Sequence, residues 1–184
     1  TGEATFSGSS SIDFELSDAD APLTVDLDKA QVRKLVVNGR TLQPQYNQWF
    51  ITLAAADLVA GHNSVIVSYE RAHSTDGEGL HRYKDATDGK VYLYSHFEPA
   101  AAHQMFALFD QPDLKATFRL TVSAPKDWQV ISTRRETAIE DRGAGLYIGN
   151  AQQWVDWTLG VLPVFAVTQH GLMNILIEVE GDVA

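Results

Sequence analysis

The chain contains no cysteine. Disulfide staples and thiolate metal sites are thereby excluded, although the compartment stays open, because proteins of oxidising compartments also do without cysteine. Basic residues are few: 14 Lys and Arg stand against 24 Asp and Glu, a formal net charge of −10. Nucleic acid and anionic membrane surfaces both select a cationic footprint, so neither is expected as a partner. Long apolar runs are missing as well. The most hydrophobic stretch, residues 160–167, is too short for a membrane helix and contains Pro163. The first residue is Thr1 and no signal peptide opens the sequence, so a processed product or an excised piece is expected. What the chain does have is core-forming material. Apolar residues make up 45% of its 184 positions, enough for one domain, or one and a small part of a second.

The dominant hydrophobic period is two. In "ATFSGSSSIDFELSD", Ile12, Phe14 and Leu16 alternate with Ser11, Asp13 and Glu15, the pattern of a strand with one buried and one wet face. "LTVDLD" repeats it. "RKLVVNGRTLQPQ" sets Asn38-Gly39 between two β-forming runs, which predicts a hairpin, because a type I′ turn needs positive φ at both central residues. "QWFITLAAADLVAGHNSVIVSYERA" reads as a strand, a helical turn near 54–59, a turn at 61–63, and a strand through Val65, Val67 and Tyr69. Further short strands follow in "VYLYSHFE", "ATFRLTVSAP", "WQVIST", "RETAIED", "LYIGN" and "WVDWTLGVLPVFAVT", with one brief helical turn at 100–108. Many short strands at regular spacing predict an all-β fold, a two-sheet antiparallel β-sandwich, saddle-like, with one or two short helical turns. Its expected extent is residues 1–168, with 169–184 an unassigned tail or the start of a following domain.

Self-contained catalytic signatures are absent. None of His62, His73, His81, His96, His103 and His170 belongs to a His-Glu-x-x-His pair, so no zinc site of that kind is expected within the chain, and there is no Gly-x-Ser-x-Gly elbow. "DGEGLHR" is not a phosphate loop, since it neither follows a buried parallel strand nor opens a helix; it reads as a flexible surface loop. Asp26 with Asp28, and Asp85 with Asp88, have the spacing of ordinary solvated acids. One stretch stands apart, "HFEPAAAHQMFALFDQPDLKATF". Counting by twos from Tyr92 places Tyr94, His96 and Glu98 on one strand face and Leu93, Ser95 and Phe97 on the other. Pro99, which has no ladder donor, is expected to stop the strand directly after Glu98, leaving a carboxylate beside an imidazole at a strand end. The plainer account makes Glu98 a surface ion-pair partner of Arg82 or Lys115.

These residues carry a resemblance. Residues 76–133, above all "YLYSHFEP" and "FDQPDLKATF", strongly resemble the N-terminal domain of the aminopeptidase N family of zinc metallopeptidases. "PLTVDLDKAQVRKLVVNGR" and "HNSVIVSYE" extend the likeness to roughly residues 5–135, and more weakly to Val167. The resemblance implies that Glu98 helps bind the α-amine of a peptide N-terminus, and that the substrate-facing position two residues earlier, often Gln in the family, is His96. It implies that "FALFDQPD" packs this domain against a catalytic domain of the same polypeptide, with Phe106, Phe109 and Pro112 as packing residues and an exposed patch at 106–109 where that domain is missing. The zinc, the Gly-x-Met-Glu-Asn motif, the His-Glu-x-x-His helix and the oxyanion Tyr belong to the part that follows, so this chain is expected to hold no cofactor and to be inactive alone. "GLMN" at 171–174 lacks the Glu and reads instead as the start of a strand. The alternative is a stand-alone β-sandwich binding module without activity. A carbohydrate-binding sandwich using Trp49, Trp128, Trp154 and Trp157 is a third reading.

Overall fold

The computed structural model describes residues 4–111 and 114 with their side chains, and beyond them the backbone of seven strands. The first nine strands are β1 (Thr5–Leu16), β2 (Leu23–Asp26), β3 (Gln31–Val37), β4 (Arg40–Leu42), β5 (Gln45–Tyr46), β6 (Phe50–Leu53), β7 (Gly61–Ala72), β8 (Gly79–Lys84) and β9 (Val91–His96). Seven follow: β10 (Ala116–Ala124), β11 (Gln129–Ile131), β12 (Ala138–Asp141), β13 (Leu146–Gly149), β14 (Gln153–Val155), β15 (Phe165–Thr168) and β16 (Asn174–Glu180). Two 3-10 turns, Ala55–Asp57 and Ala102–Gln104, are the helical elements among the described residues, and none is long and apolar enough to cross a membrane.

The all-β antiparallel class is as the alternation predicts. The strands divide among four hydrogen-bonded sheets, ordered β1-β7-β3-β4, β12-β13-β10-β14 with β16 also on β10, β11-β15-β9-β8, and β2-β6-β5. The Asn38-Gly39 hairpin forms as expected. Val37 pairs with Arg40 across a two-residue loop in which Asn38 has φ 50° and Gly39 φ 77°, the double left-handed geometry of a type I′ turn.

One expected turn lies elsewhere. His62 and Asn63 are not loop residues but the start of β7, in register with Glu15 and Phe14. The chain reverses just before them, at 58–60, and Asn63 holds that reversal from inside. Its fully buried amide accepts from Val59 N–H (3.0 Å) and donates to the carbonyls of Val59 (2.7 Å) and Gly61 (2.9 Å), so three backbone groups at the turn are paired by one side chain.

The core is where the inward faces of β1, β3 and β7 meet β2, β6 and the segment after β9. Ile12 and Phe14 come from β1, Leu35 and Val37 from β3, Val65, Val67 and Tyr69 from β7, Val25 from β2, and Ile51 and Leu53 from β6. Each full burial of a side chain of this size contributes roughly 1.5–3 kcal/mol. Phe97, Ala102, Met105, Phe106 and Leu108 close the cluster from the irregular side. The segment after β9 is therefore part of the core, and it leads directly from the residues singled out in the sequence.

Candidate functional site

β9 delivers His96 and Glu98. Along 92–98 the burial alternates: Leu93, Ser95 and Phe97 are buried, whereas Tyr92 and Tyr94 are half-buried and His96 and Glu98 exposed. The two exposed residues thus leave the chain on the side opposite Phe97, which sits against Phe106 in an edge-on contact (5.7 Å between ring centres). The ladder ends at His96, which pairs with Gly79 of β8, rather than at Glu98. The expectation that Pro99 stops the strand directly after Glu98 is corrected by two residues: Glu98 and Pro99 already lie in the turn that follows, joined by a cis peptide bond.

An irregular segment that presents an exposed carboxylate needs its backbone groups satisfied from elsewhere. Here main-chain and side-chain groups share the task. Ala101 N–H bonds back to Phe97 O (2.8 Å). The Tyr69 hydroxyl donates to Met105 O (2.7 Å), Ala107 N–H donates to the buried Ser10 hydroxyl (3.0 Å), and Asp26 and Leu108 exchange backbone bonds (2.8 and 3.2 Å). Burial pushes the Tyr69 phenol far above its ordinary pKa, so it remains a donor at any physiological pH. Asp28 N–H donates to His103 O (2.9 Å), and the Asp110 carboxylate takes both the His103 ring Nδ1 (2.5 Å) and the His103 backbone N–H (3.2 Å). The hydrogen bond that His103 donates to Asp110, opposed by partial burial, raises the His103 pKa above that of an ordinary imidazole.

Arg71 anchors the same segment from below. Its Nε donates to Asp28 O (2.7 Å), and its Nη2 reaches Asp28 Oδ2 (3.0 Å) and Gln104 Oε1 (3.5 Å). The side chains are only 8% and 4% exposed. The reading of Asp28 as a solvated acid is therefore corrected: it is one half of a buried ion pair, with Arg71 supplied by β7. Asp85 and Asp88 are turn residues, as their spacing suggests; their carboxylates accept from Thr87 N–H (2.6 Å) and Lys90 N–H (2.8 Å).

The Gly-Glu-Gly-Leu loop is also more ordered than expected of a flexible surface loop. Gly79, Leu80 and His81 are buried in β8, and the buried Ser74 hydroxyl donates to Glu78 O. Gly77 N–H donates to His81 Nδ1 (3.0 Å), and Gln104 reaches the Glu78 carboxylate (3.1 Å). Gly79 is required twice over. It has φ +62°, and a Cβ there would come within 2.6 Å of Gln104 Cβ.

The expected exposed patch at 106–109 is overturned. Phe106 is 7% exposed, Ala107 and Leu108 are buried, and Phe109 meets the core ring of Phe14 edge-on (5.1 Å). The corner covers this domain's own core, so its burial does not separate an excised domain from a free-standing module. Phe106 and Phe109 are packing residues, as read from the sequence; Pro112 and Lys115 lie outside the described residues. Trp49 is exposed, beneath Lys29 (5.2 Å from ammonium to ring centre), and the other three Trp side chains lie outside the described residues.

Among the described residues no three His, Asp or Glu side chains converge to hold an ion, so these residues do not form a zinc site. His96 and Glu98, an exposed imidazole and an exposed carboxylate two residues apart, stand at the end of β9, which pairs with β8 on one side and β15 on the other.

Comparison with known proteins identifies the family. The family model described as "Peptidase M1 N-terminal domain" matches residues 1–158. The chain is 37% identical over 128 residues to aminopeptidase N of Streptomyces lividans, covering 70% of this chain and 15% of that protein. It is 26% identical over 157 residues to aminopeptidase N of Oryctolagus cuniculus, covering 74% and 16%. A probable M1 family aminopeptidase 1 of Encephalitozoon cuniculi (strain GB-M1) is 42% identical over 77 residues, covering 42% and 9%. The chain thus spans about one sixth of the relatives it matches over the longest stretches. By the family match over residues 1–158, the chain belongs to the M1 peptidase N-terminal domain family.

Proposed function

We propose that this domain serves an aminopeptidase by holding the free α-amine of a peptide substrate. The observation that carries the reading is the exposed carboxylate of Glu98, set one residue beyond the buried Phe97 and two beyond the last ladder residue, His96. Glu98 would accept a charge-assisted hydrogen bond from the ammonium, and His96 would face the first side chain beside it. Fixing the amine fixes which peptide bond lies at the reactive centre, so residues are removed singly from the chain terminus. Residues beyond those described here would supply the catalytic chemistry, including any zinc. The 184-residue chain alone should not hydrolyse aminoacyl-arylamides.

The test is kinetic, in the full-length polypeptide carrying this domain. A hydrogen bond to a charged group contributes about 1.5–3 kcal/mol, so Glu98→Gln should lower kcat/KM on aminoacyl-arylamides by roughly 10- to 150-fold. Wild-type kcat/KM in Glu98→Gln, with activity intact, would remove Glu98 from amine binding. Chelator-sensitive hydrolysis by the isolated chain would contradict the division of labour.

A further inference from the structure

We propose that His103 is a positioning residue of the amine site: its ion pair with Asp110 clasps the segment that carries Glu98, so the hold on the amine loosens as His103 gives up its proton. The proposal rests on Glu98 holding the α-amine. Glu98 lies beyond the β9 ladder, which ends at His96. It rides on a run of tight turns instead. Ala101 N–H bonds to Phe97 O (2.8 Å), Gln104 N–H to Ala101 O (3.1 Å), and the N–H groups of Met105 and Phe106 to Ala102 O (2.8 and 3.1 Å). Where Glu98 stands therefore depends on what ties the following residues, 102–110, to the sheets.

His103 stands among those ties. Asp110 Oδ2 takes its ring Nδ1 at 2.5 Å and its backbone N–H at 3.2 Å, which draws the two ends of 103–110 together. Asp110 N–H in turn donates to Asp26 Oδ2 on β2 (3.1 Å), and Asp28 N–H donates to His103 O (2.9 Å). The His103 and Asp110 side chains are only 24% and 11% exposed, so salt and solvent screen their attraction less than that of a surface pair.

The other ties do not change charge near neutral pH. Arg71 keeps its proton throughout, and the hydroxyls of Tyr69 and Ser10 stay neutral. An imidazole loses its charge in that range. The groups that face His103 are Asp110 on its own segment, Asp26 on β2 and Asp28 just after β2, all acidic, while Arg71 of β7 is committed to Asp28. Protonated, His103 is the cation for Asp110 and Asp26. Neutral, it leaves those two carboxylates without one, and a charge-assisted bond becomes an ordinary one of about half the strength. The hydrogen bond to Asp110, against partial burial, keeps the proton on His103 above the ordinary imidazole range, so the clasp weakens as pH rises through that raised value.

The experiment follows kcat/KM for one aminoacyl-arylamide from pH 6 to pH 9 in the full-length polypeptide, as the ratio of wild type to His103→Arg, which keeps a cation at every pH in that range. Titration of the substrate amine, common to both enzymes, cancels in the ratio. Weakening of the clasp should lower the ratio by up to about 5-fold between pH 6 and pH 9. Asp110→Asn is the second variant: it keeps the shape and removes the charge pairing, and the ratio of wild type to it should decline with pH as well. In a Glu98→Gln background both declines should vanish, because the clasp acts through Glu98. A flat ratio for either folded variant, or an equal decline with and without Glu98, overturns the role of His103 and leaves amine binding by Glu98 standing. Wild-type kcat/KM in Glu98→Gln alone removes the amine role, and the role of His103 with it.

Discussion

Replacing Arg71 tests what holds the carboxylate-bearing segment in place. In Arg71→Met the aliphatic bulk is kept, but Asp28 loses the guanidinium at 3.0 Å, its main-chain carbonyl loses the Nε donor at 2.7 Å, and Gln104 loses its contact at 3.5 Å. The remaining cation, Lys29 Nζ, stands 3.9 Å from Asp28 Oδ2 on a side chain that is 66% exposed. It cannot replace a buried partner. Asp28 already has one oxygen, Oδ1, without a protein partner. Removing one member of a buried pair costs about 3–5 kcal/mol, because an uncompensated charge stays behind. For a domain of this size, 1 kcal/mol shifts Tm by roughly 2–4 °C, so the variant should melt about 6–20 °C lower by calorimetry. The double variant Arg71→Met with Asp28→Leu removes both charges and should recover most of the loss. The exposed pair of Arg33 and Glu70 (2.7 Å) is the control, and Arg33→Ala should cost no more than about 1 kcal/mol. A loss below about 1 kcal/mol in Arg71→Met, or a double variant no more stable than the single one, would refute the buried-pair reasoning.

Three further outcomes follow from the same structure. The His103 pKa is raised by Asp110, so their pairing stabilises the fold fully below an ordinary imidazole pKa and fades as pH rises through the elevated folded value. Chemical denaturation of wild type and Asp110→Asn should therefore differ more at pH 6 than at pH 9, and an equal gap would refute the pairing. Burial, aided by Arg82 and Arg71, lowers His73 to about 4, so between the ordinary value near 6.5 and 4 the unfolded chain takes up a proton that the folded one refuses. Stability should fall with pH across that window, and His73→Leu should flatten the fall; an unaltered slope would contradict the assignment. In Gly8→Ala the new Cβ would come within 2.3 Å of the Tyr69 ring, whose hydroxyl holds Met105 O, and a loss of about 1–3 kcal/mol is expected in urea titration, with none expected if the ring moves freely.

The sequence made legible what depends on near neighbours. Asn38-Gly39 declares its hairpin because only a few residue types accept two successive left-handed conformations, and Tyr92, Tyr94, His96 and Glu98 share a side because the side-chain period of a strand is two. What it concealed depends on distant residues. Asp28 looks like any solvated acid until β7 brings Arg71, 43 residues away, against it. Ser10 sits in a serine-rich strand with nothing to mark it, yet its hydroxyl satisfies Ala107 N–H from 97 residues away. The ladder stops at His96 rather than at Glu98, because β8 supplies Gly79, with φ +62°, as the last partner. The resemblance implies a partner domain, and so an outward surface, at the Phe106 corner; Phe14 and Phe97, from β1 and the end of β9, claim it instead. Pairing of β16 with β10 over residues 174–180 likewise joins the end of the chain to strands far from it in sequence.

The most direct measurement is a crystal structure of the full-length polypeptide bound to a peptide-like inhibitor with a free α-amine. The account predicts the amine nitrogen within about 3.2 Å of a Glu98 carboxylate oxygen, with His96 beside the first side chain. An amine held by other residues, with Glu98 turned to solvent more than about 5 Å away, would contradict it.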